Sequence, residues 1–226
     1  IRGPEGSTVS ITVQRANEQK TIAVKRAIVS NPSVRSEIKD GVGIMTILRF
    51  DGDTGSLARK AAEDFKSKRV SGIIVDLRGD GGGYVVGAIY VASLWIEDGV
   101  IVSQRKNGKT VDESKAKGKA ILDGVKTVVL VDEGTASASE IVAGALRDYN
   151  KAKLMGVKTY GKGSVQQLLD LDRGAKLKVT IAKWYTPKGH NIDGSGLVPD
   201  NVVKITSDDI NNDRDPQLDA ALEGVK

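Results

Sequence analysis

Gly72-Ile73-Ile74-Val75-Asp76-Leu77, run directly into Arg78-Gly79-Asp80-Gly81-Gly82-Gly83, decides how this chain folds. The first six residues form a short apolar run without alternation, the mark of a strand buried on both faces. Such strands belong to parallel sheets, which need crossover helices to cover them. The glycines then turn the chain, and Tyr84 to Ile96 reads as an apolar helix. Buried strand, glycine turn and apolar helix together indicate an α/β class.

The same grammar extends in both directions. Val42 to Leu48 reads as a strand and Ser56 to Lys66 as an amphipathic helix. Lys126 to Val131 is a second buried strand, and Ser137 to Tyr149 a helix. Lys153 to Thr159 and Ser164 to Leu171 are further strands. Lys176 to Tyr185 alternates and pairs back across Asp172-Arg173-Gly174. The order β-α-β-α-β-α-β, closed by a β-hairpin, predicts an α/β core with crossover helices. Ser7 to Val13 alternates at period two, and Thr21 to Val29 reads as a second strand. Two strands bury no core alone, so this start is expected to be part of a small β-rich module. Asn31 to Lys39 reads as a polar linker. The chain opens at Ile1-Arg2-Gly3-Pro4 without a start methionine or signal peptide, and reads as a processed or trimmed product.

Composition narrows the function classes. Of 226 residues, 39% are hydrophobic and 28% charged, as in soluble globular proteins. Aromatics are only 4%, so the core rests on Val, Ile, Leu and Ala. The net charge of +5 is modest, and the basic cluster Arg105-Lys106-Asn107-Gly108-Lys109 has no interleaved aromatics. No nucleic-acid partner is expected from that pattern. There is no cysteine, which excludes disulfides, thiolate nucleophiles and Cys-ligated metals. No stretch approaches the roughly 20 apolar residues of a membrane span. Asp209-x-Asn211-x-Asp213 begins like a calcium loop but has Arg214 where glycine is required and Ala220 where glutamate is required. It reads as a solvated turn before a terminal helix. Neither a metal nor another cofactor is expected.

Two strand-end turns concentrate unusual residues, where α/β sheets place their sites. Gly79 to Gly83 exposes backbone N–H groups and fits either a ligand cradle or a plain glycine-rich turn. It lacks the third glycine of a dinucleotide fingerprint and the lysine-serine pair of a P-loop. Its remaining functional reading is an oxyanion hole. Asp132 to Glu140 contains Ser137-x-x-Glu140, a capping-box pattern. Ser137 therefore reads either as a cap or as a nucleophile at a helix N-terminus, where the Ala138 N–H meets the positive end of the dipole. A serine nucleophile needs a base. His190, the one histidine, lies in a polar glycine-containing loop. Lys162 lies between two glycines with no acidic residue from Lys151 to Leu169. It reads either as a surface lysine or as a base whose amine is neutralised by burial. An extended chain after it puts Gln166 on the same face, able to accept from the amine.

In order along the chain, Ile74-Val75-Asp76-Leu77-Arg78 with its glycines, Thr135 to Leu146, Thr159-Tyr160-Gly161-Lys162-Gly163-Ser164-Val165-Gln166, Tyr185-Thr186-Pro187 and Gly196-Leu197-Val198-Pro199-Asp200 resemble the carboxy-terminal processing proteases, or tail-specific proteases. The resemblance runs from about Gly41 to Val203. It implies a crotonase-like core with an inserted PDZ domain, Ser137 as nucleophile, Lys162 as base and Gln166 as the residue positioning the lysine. It also implies oxyanion N–H groups from Gly83, Gly82 and Ala138. Residues 1–30 then resemble the end of the PDZ domain, 31–205 the protease core and 206–226 a C-terminal turn and helix. The implied partners are protein or peptide C-terminal tails, the implied location is extracytoplasmic, and the resemblance leaves room for a homo-oligomer formed through regions outside these 226 residues. The chain departs from the family at Asp80-Gly81, where Asn-Pro is usual, and at His190, where arginine is common. A carboxylate at 80 works against an oxyanion site, and Gly81 loosens the turn. Two other readings share many of these features: a crotonase-like acyl-CoA enzyme, and a peptide-binding scaffold that does not cut.

Overall fold

The computed structural model describes residues 1–28 and 31–225 and divides into two compact units, Ile1–Pro32 and Ser33–Lys226. The first unit holds β1 (Thr8–Arg15) and β2 (Glu18–Lys25), an antiparallel ribbon registered from Thr8↔Lys25 to Arg15↔Glu18. The second strand starts earlier than the sequence suggested. The cause is a two-residue turn in which Ala16 takes φ 54°, so pairing resumes at Glu18. Val29, the expected end of that strand, lies outside the described residues.

The second unit is built on a six-stranded sheet. Its strands are β3 (Val34–Lys39), β4 (Val42–Ile47), β5 (Gly72–Asp76), β8 (Thr127–Val131), β9 (Lys153–Gly156) and β12 (Asn201–Val202), in the order β12-β9-β8-β5-β4-β3. All neighbours are parallel except β3 and β4. The linker expected at Asn31 to Lys39 is thus half wrong: Val34 onward is an edge strand. Its charged residues Arg35, Glu37 and Lys39 hid it, and such residues are what an edge strand carries against solvent.

The continuous apolar runs do bury both faces. Ile73 and Val75 of β5, with Met45, Val129 and Leu154, meet α1 (Thr54–Ser67), α2 (Val85–Ala92) and α3 (Ala138–Asp148) through Phe65, Ala88, Ile141 and Leu146. Ile74, with Ile44, Val128, Leu130 and Met155, faces the other way, against Ala221 and Val225 at α5 (Pro216–Gly224). A one-residue slip of β5 would exchange the two sets.

A second, four-stranded antiparallel sheet has the order β10-β11-β6-β7, from β6 (Val100–Lys106), β7 (Lys109–Lys115), β10 (Ser164–Asp170) and β11 (Lys176–Tyr185). The basic cluster at Arg105 to Lys109 is the turn of the β6–β7 hairpin, with Asn107 and Gly108 both at positive φ. The acidic stretch at Asp209 is α4 (Ser207–Asn211) rather than an open turn. Asp209 Oδ2 accepts from the Thr206 N–H and hydroxyl, which caps the helix.

Candidate active site

β8 ends at Val131, and the chain turns through Asp132 to Ser137 before α3 begins at Ala138. The turn is fastened from within. Asp132 Oδ1 accepts from the N–H groups of Gly134, Thr135 and Gly79, and the Thr135 hydroxyl donates to Leu77 O. Ser137 sits half-buried at φ 58°, ψ −115°. That conformation lies outside the left-handed helical well and costs of order 1–3 kcal/mol for a residue with a Cβ. An ordinary N-cap is extended and needs no such strain. Capping alone therefore does not account for this backbone.

The glycine turn lies against it. Asp80 O accepts the Ala136 N–H at 2.9 Å and the Ser139 hydroxyl at 3.0 Å. Gly82 donates its N–H to Asp80 Oδ1 at 2.8 Å, and its own carbonyl accepts from Phe50 N. Gly82 takes φ 94°, and a Cβ there would stand 2.7 Å from Ala136 O and from Ser137 Cβ, and 2.9 Å from Ala138 N. Gly83 takes φ 147°, and its Cβ would meet Phe50 O at 2.1 Å. Glycine is required at both positions by space as well as by φ. Among the described residues, neither the Gly83 N–H nor the Ala138 N–H finds an acceptor, and Ala138 heads the first turn of α3.

Glu140 ties the next segment to this turn. It is fully buried, and it accepts four hydrogen bonds: Ser137 N at 2.9 Å and Lys162 N at 2.8 Å on Oε2, Thr159 Oγ1 at 2.5 Å and Gly161 N at 2.8 Å on Oε1. Sequence reasoning used Glu140 only as a capping signal. The capping bond to Ser137 N exists, but the other three bonds reach across to the lysine segment. Acidic Glu140 with a small-residue turn was the available signal, and nothing in the spacing said where its second oxygen would point.

Gly161 and Gly163 are buried and pinned by Gly194 N to Gly161 O and Trp184 N to Gly163 O, at 2.9 and 2.7 Å. Lys162 between them is exposed. The expectation that its amine is buried is therefore corrected: the anchoring is in the backbone, and the side chain faces outward. Gln166 is exposed on β10, in register with Thr180. Ser137 and Lys162 are thus joined through their main chains, while Gln166 stands further along the strand that leaves Lys162.

His190 is elsewhere. Its Nδ1 lies 3.7 Å from Asp148 Oδ1, at the last residue of α3, and its side chain is 62% exposed. Asp148 ends the 11-residue helix that Ser137 precedes, so the two lie about 16 Å apart along it at 1.5 Å per residue.

Arg78 props the glycine turn from the other side. It pairs with both oxygens of Asp76 and both of Asp215, and donates to Gln217 Oε1 at 3.1 Å. Burial works against its charge, but the two carboxylates outweigh it and hold the guanidinium protonated. The same pairing lowers the Asp215 carboxyl against its own burial.

A family model for peptidase family S41 matches residues 41–203. The chain belongs to peptidase family S41. The S41 match contains all three turns just described and leaves the β1–β2 unit and helices α4 and α5 outside it. The chain is 39% identical over 202 residues to a probable CtpA-like serine protease of Staphylococcus epidermidis, covering 88% of this chain and 41% of that protein. It therefore spans about two-fifths of the length of the curated relatives it matches. Among solved structures it is similar to a photosystem II D1 C-terminal processing protease, at 28% identity and TM-score 0.74, over 89% of this chain and 57% of that one. A putative S41 protease from Bacteroides fragilis shares the fold, at 18% identity and TM-score 0.68, over 97% and 67%. The mixed α/β fold is thus that of S41 protease structures.

Proposed function

We propose that residues 31–205 are the catalytic core of a serine peptidase that processes C-terminal tails. The observation that carries this reading is Ser137, held in a strained backbone at the start of α3, with its N–H and that of Lys162 on one buried carboxylate oxygen. Strain of that kind persists only where surrounding structure enforces it, and it is characteristic of functional positions.

In this reading Ser137 Oγ attacks the scissile carbonyl carbon while Lys162 Nζ takes the hydroxyl proton. The carbonyl oxygen gains the charge and is received by the free N–H groups of Gly83 and Ala138. Gly82 contributes by close approach, because its own N–H is held by Asp80. The C–N bond then breaks, Lys162 returns its proton to the leaving amine, and the acyl group remains on Ser137. Water attacks the ester, with Lys162 again as base, and frees the serine. Gln166 orients the amine by accepting from it. A lysine works as a base only with its amine neutral, and an exposed side chain reaches that state most readily when bound peptide covers it.

Residues 1–30 would be the end of a PDZ domain, 31–205 a crotonase-like protease core, and 206–226 a C-terminal brace. The substrates would be protein or peptide tails in an extracytoplasmic compartment. Among the described residues no helix is long and apolar enough to cross a membrane. The acyl-CoA reading shares the oxyanion geometry but gives no reason to fasten a lysine segment to a serine turn. Incubating the chain separately with an apolar-tailed peptide and with an acyl-CoA thioester tests the reading. Peptide turnover alone supports it; thioester turnover alone defeats it.

A further inference from the structure

We propose that Asp80 is a titratable brake on the oxyanion site: neutral, it leaves the Gly83 and Ala138 N–H groups at full strength, and ionised, it opposes the charge that develops there. The inference rests on the peptidase reading of the site.

Asp80 is fully buried, and its two carboxyl oxygens are treated differently. Oδ1 accepts the Gly82 N–H at 2.8 Å. Oδ2 is buried without a hydrogen-bond partner. A buried carboxylate with one empty oxygen and no ion pair is costly, and protonation at Oδ2 relieves that cost while Oδ1 keeps its bond. The side chain lies two residues before Gly82, where an added Cβ would stand 2.7 Å from Ser137 Cβ and 2.9 Å from Ala138 N, and three before Gly83, whose N–H is free. Its carbonyl meanwhile holds Ala136 and Ser139, so the whole residue is wedged between the two turns that would flank an oxyanion.

The charged groups around it leave this negative charge poorly compensated. Arg49, on the loop after β4, draws the carboxyl toward ionisation and is itself paired with Asp51 at 2.5 Å. Arg78, on the same turn, is committed to Asp76 and Asp215. Asp132, just after β8, and Glu140 in α3 accept from backbone N–H groups and offer Asp80 no cation. Burial accordingly pushes the Asp80 carboxyl up to about 6, against the pull of the Gly82 N–H, the Ser139 hydroxyl and Arg49. The brake is therefore mostly off at pH 5 and mostly on at pH 8.

The test compares kcat/KM of the 226-residue chain with that of Asp80→Asn from pH 5 to 8, on one apolar-tailed peptide. Asparagine keeps the oxygen that Gly82 needs and cannot ionise. Both proteins keep Ser137 and Lys162, so the ratio reads the change at residue 80. The ratio of variant to wild type is expected near one at pH 5 and to rise through pH 6 to about tenfold at pH 8, with the gain in kcat, as for a like charge removed from a developing anion. A ratio that is flat or falls with pH, on an active wild-type chain, overturns the brake alone. A wild-type chain that cleaves nothing at any pH defeats the peptidase reading and the brake with it. If Asp80→Asn does not fold, carboxyl-carbon NMR of Asp80 in Ser137→Ala decides: a midpoint near 6 sustains the brake, and one below 5 removes it.

Discussion

Ser137 and Lys162 hang from one atom: Glu140 Oε2 accepts the main-chain N–H of Ser137 at 2.9 Å and that of Lys162 at 2.8 Å. The other oxygen of the same carboxylate holds Thr159 and Gly161. Four donors converge on a side chain that is fully buried in α3, and each needs a carboxylate oxygen to satisfy it. Glu140 thereby ties the serine turn and the lysine segment to one carboxylate.

Glu140→Gln should consequently be far from conservative. An amide offers one oxygen and turns its NH2 group toward two N–H donors. We expect kcat/KM to fall by at least about 100-fold and unfolding free energy by about 2–4 kcal/mol, from unsatisfied buried donors. A peptide assay beside urea denaturation checks both. Wild-type activity in this variant would mean that the shared oxygen does not hold the site together.

Gly82→Ala tests the closeness of the two turns. Its methyl group would stand 2.7 Å from Ser137 Cβ and Ala136 O at φ 94°. The expected outcome is a folded chain, destabilised by about 1–3 kcal/mol and lacking measurable kcat. Circular dichroism melts with a peptide assay report the two effects, and full activity would show that the turns separate freely.

The Arg78 clamp makes a prediction about stability rather than chemistry. Asp215→Ala leaves a mostly buried guanidinium with only Asp76 as its carboxylate partner. Discounting for the partial exposure of Asp215, the expected loss is about 1–2 kcal/mol at pH 7. Asp215 has a lowered folded pKa, so its contribution is present above the unfolded carboxylate value and is lost as pH falls through the folded one. Urea midpoints for wild type and variant should converge as pH falls below the unfolded carboxylate value and through the lowered folded one. Midpoints that are already equal at pH 7 would show the clamp to be inert.

Asp80 has the opposite sign. Its folded value of about 6 lies above the roughly 3.9 of an unfolded aspartate. Stability from this group is complete below about pH 4 and is lost as pH rises through about 6, by roughly 3 kcal/mol at most. Asp80→Asn removes that loss. The variant's melting temperature should overtake the wild type's between pH 4 and 7, and parallel curves would contradict a buried, titrating carboxyl.

Much of this was legible in the chain itself, and the exceptions have physical causes. β5 and β8 were readable because burial on both faces demands unbroken apolar runs. β3, β6 and β7 were not, because edge and half-exposed strands carry charge where solvent allows it. Ser137 and Lys162 were picked out by motif and by their small neighbours. Glu140's reach to Lys162 was not, since a capping pair describes only bonds within one helix turn. The exposure of Lys162 was also hidden, because flanking glycines do not say whether backbone or side chain is the part held in place.

The central claim is that Ser137 and Lys162 perform the chemistry and His190 does not. The most direct measurement follows one apolar-tailed peptide by mass spectrometry with wild type, Ser137→Ala, Lys162→Ala and His190→Ala side by side. The account predicts cleavage by wild type and by His190→Ala, with an acyl adduct trappable on Ser137, and none by Ser137→Ala or Lys162→Ala. Cleavage retained in Lys162→Ala and abolished in His190→Ala would contradict it.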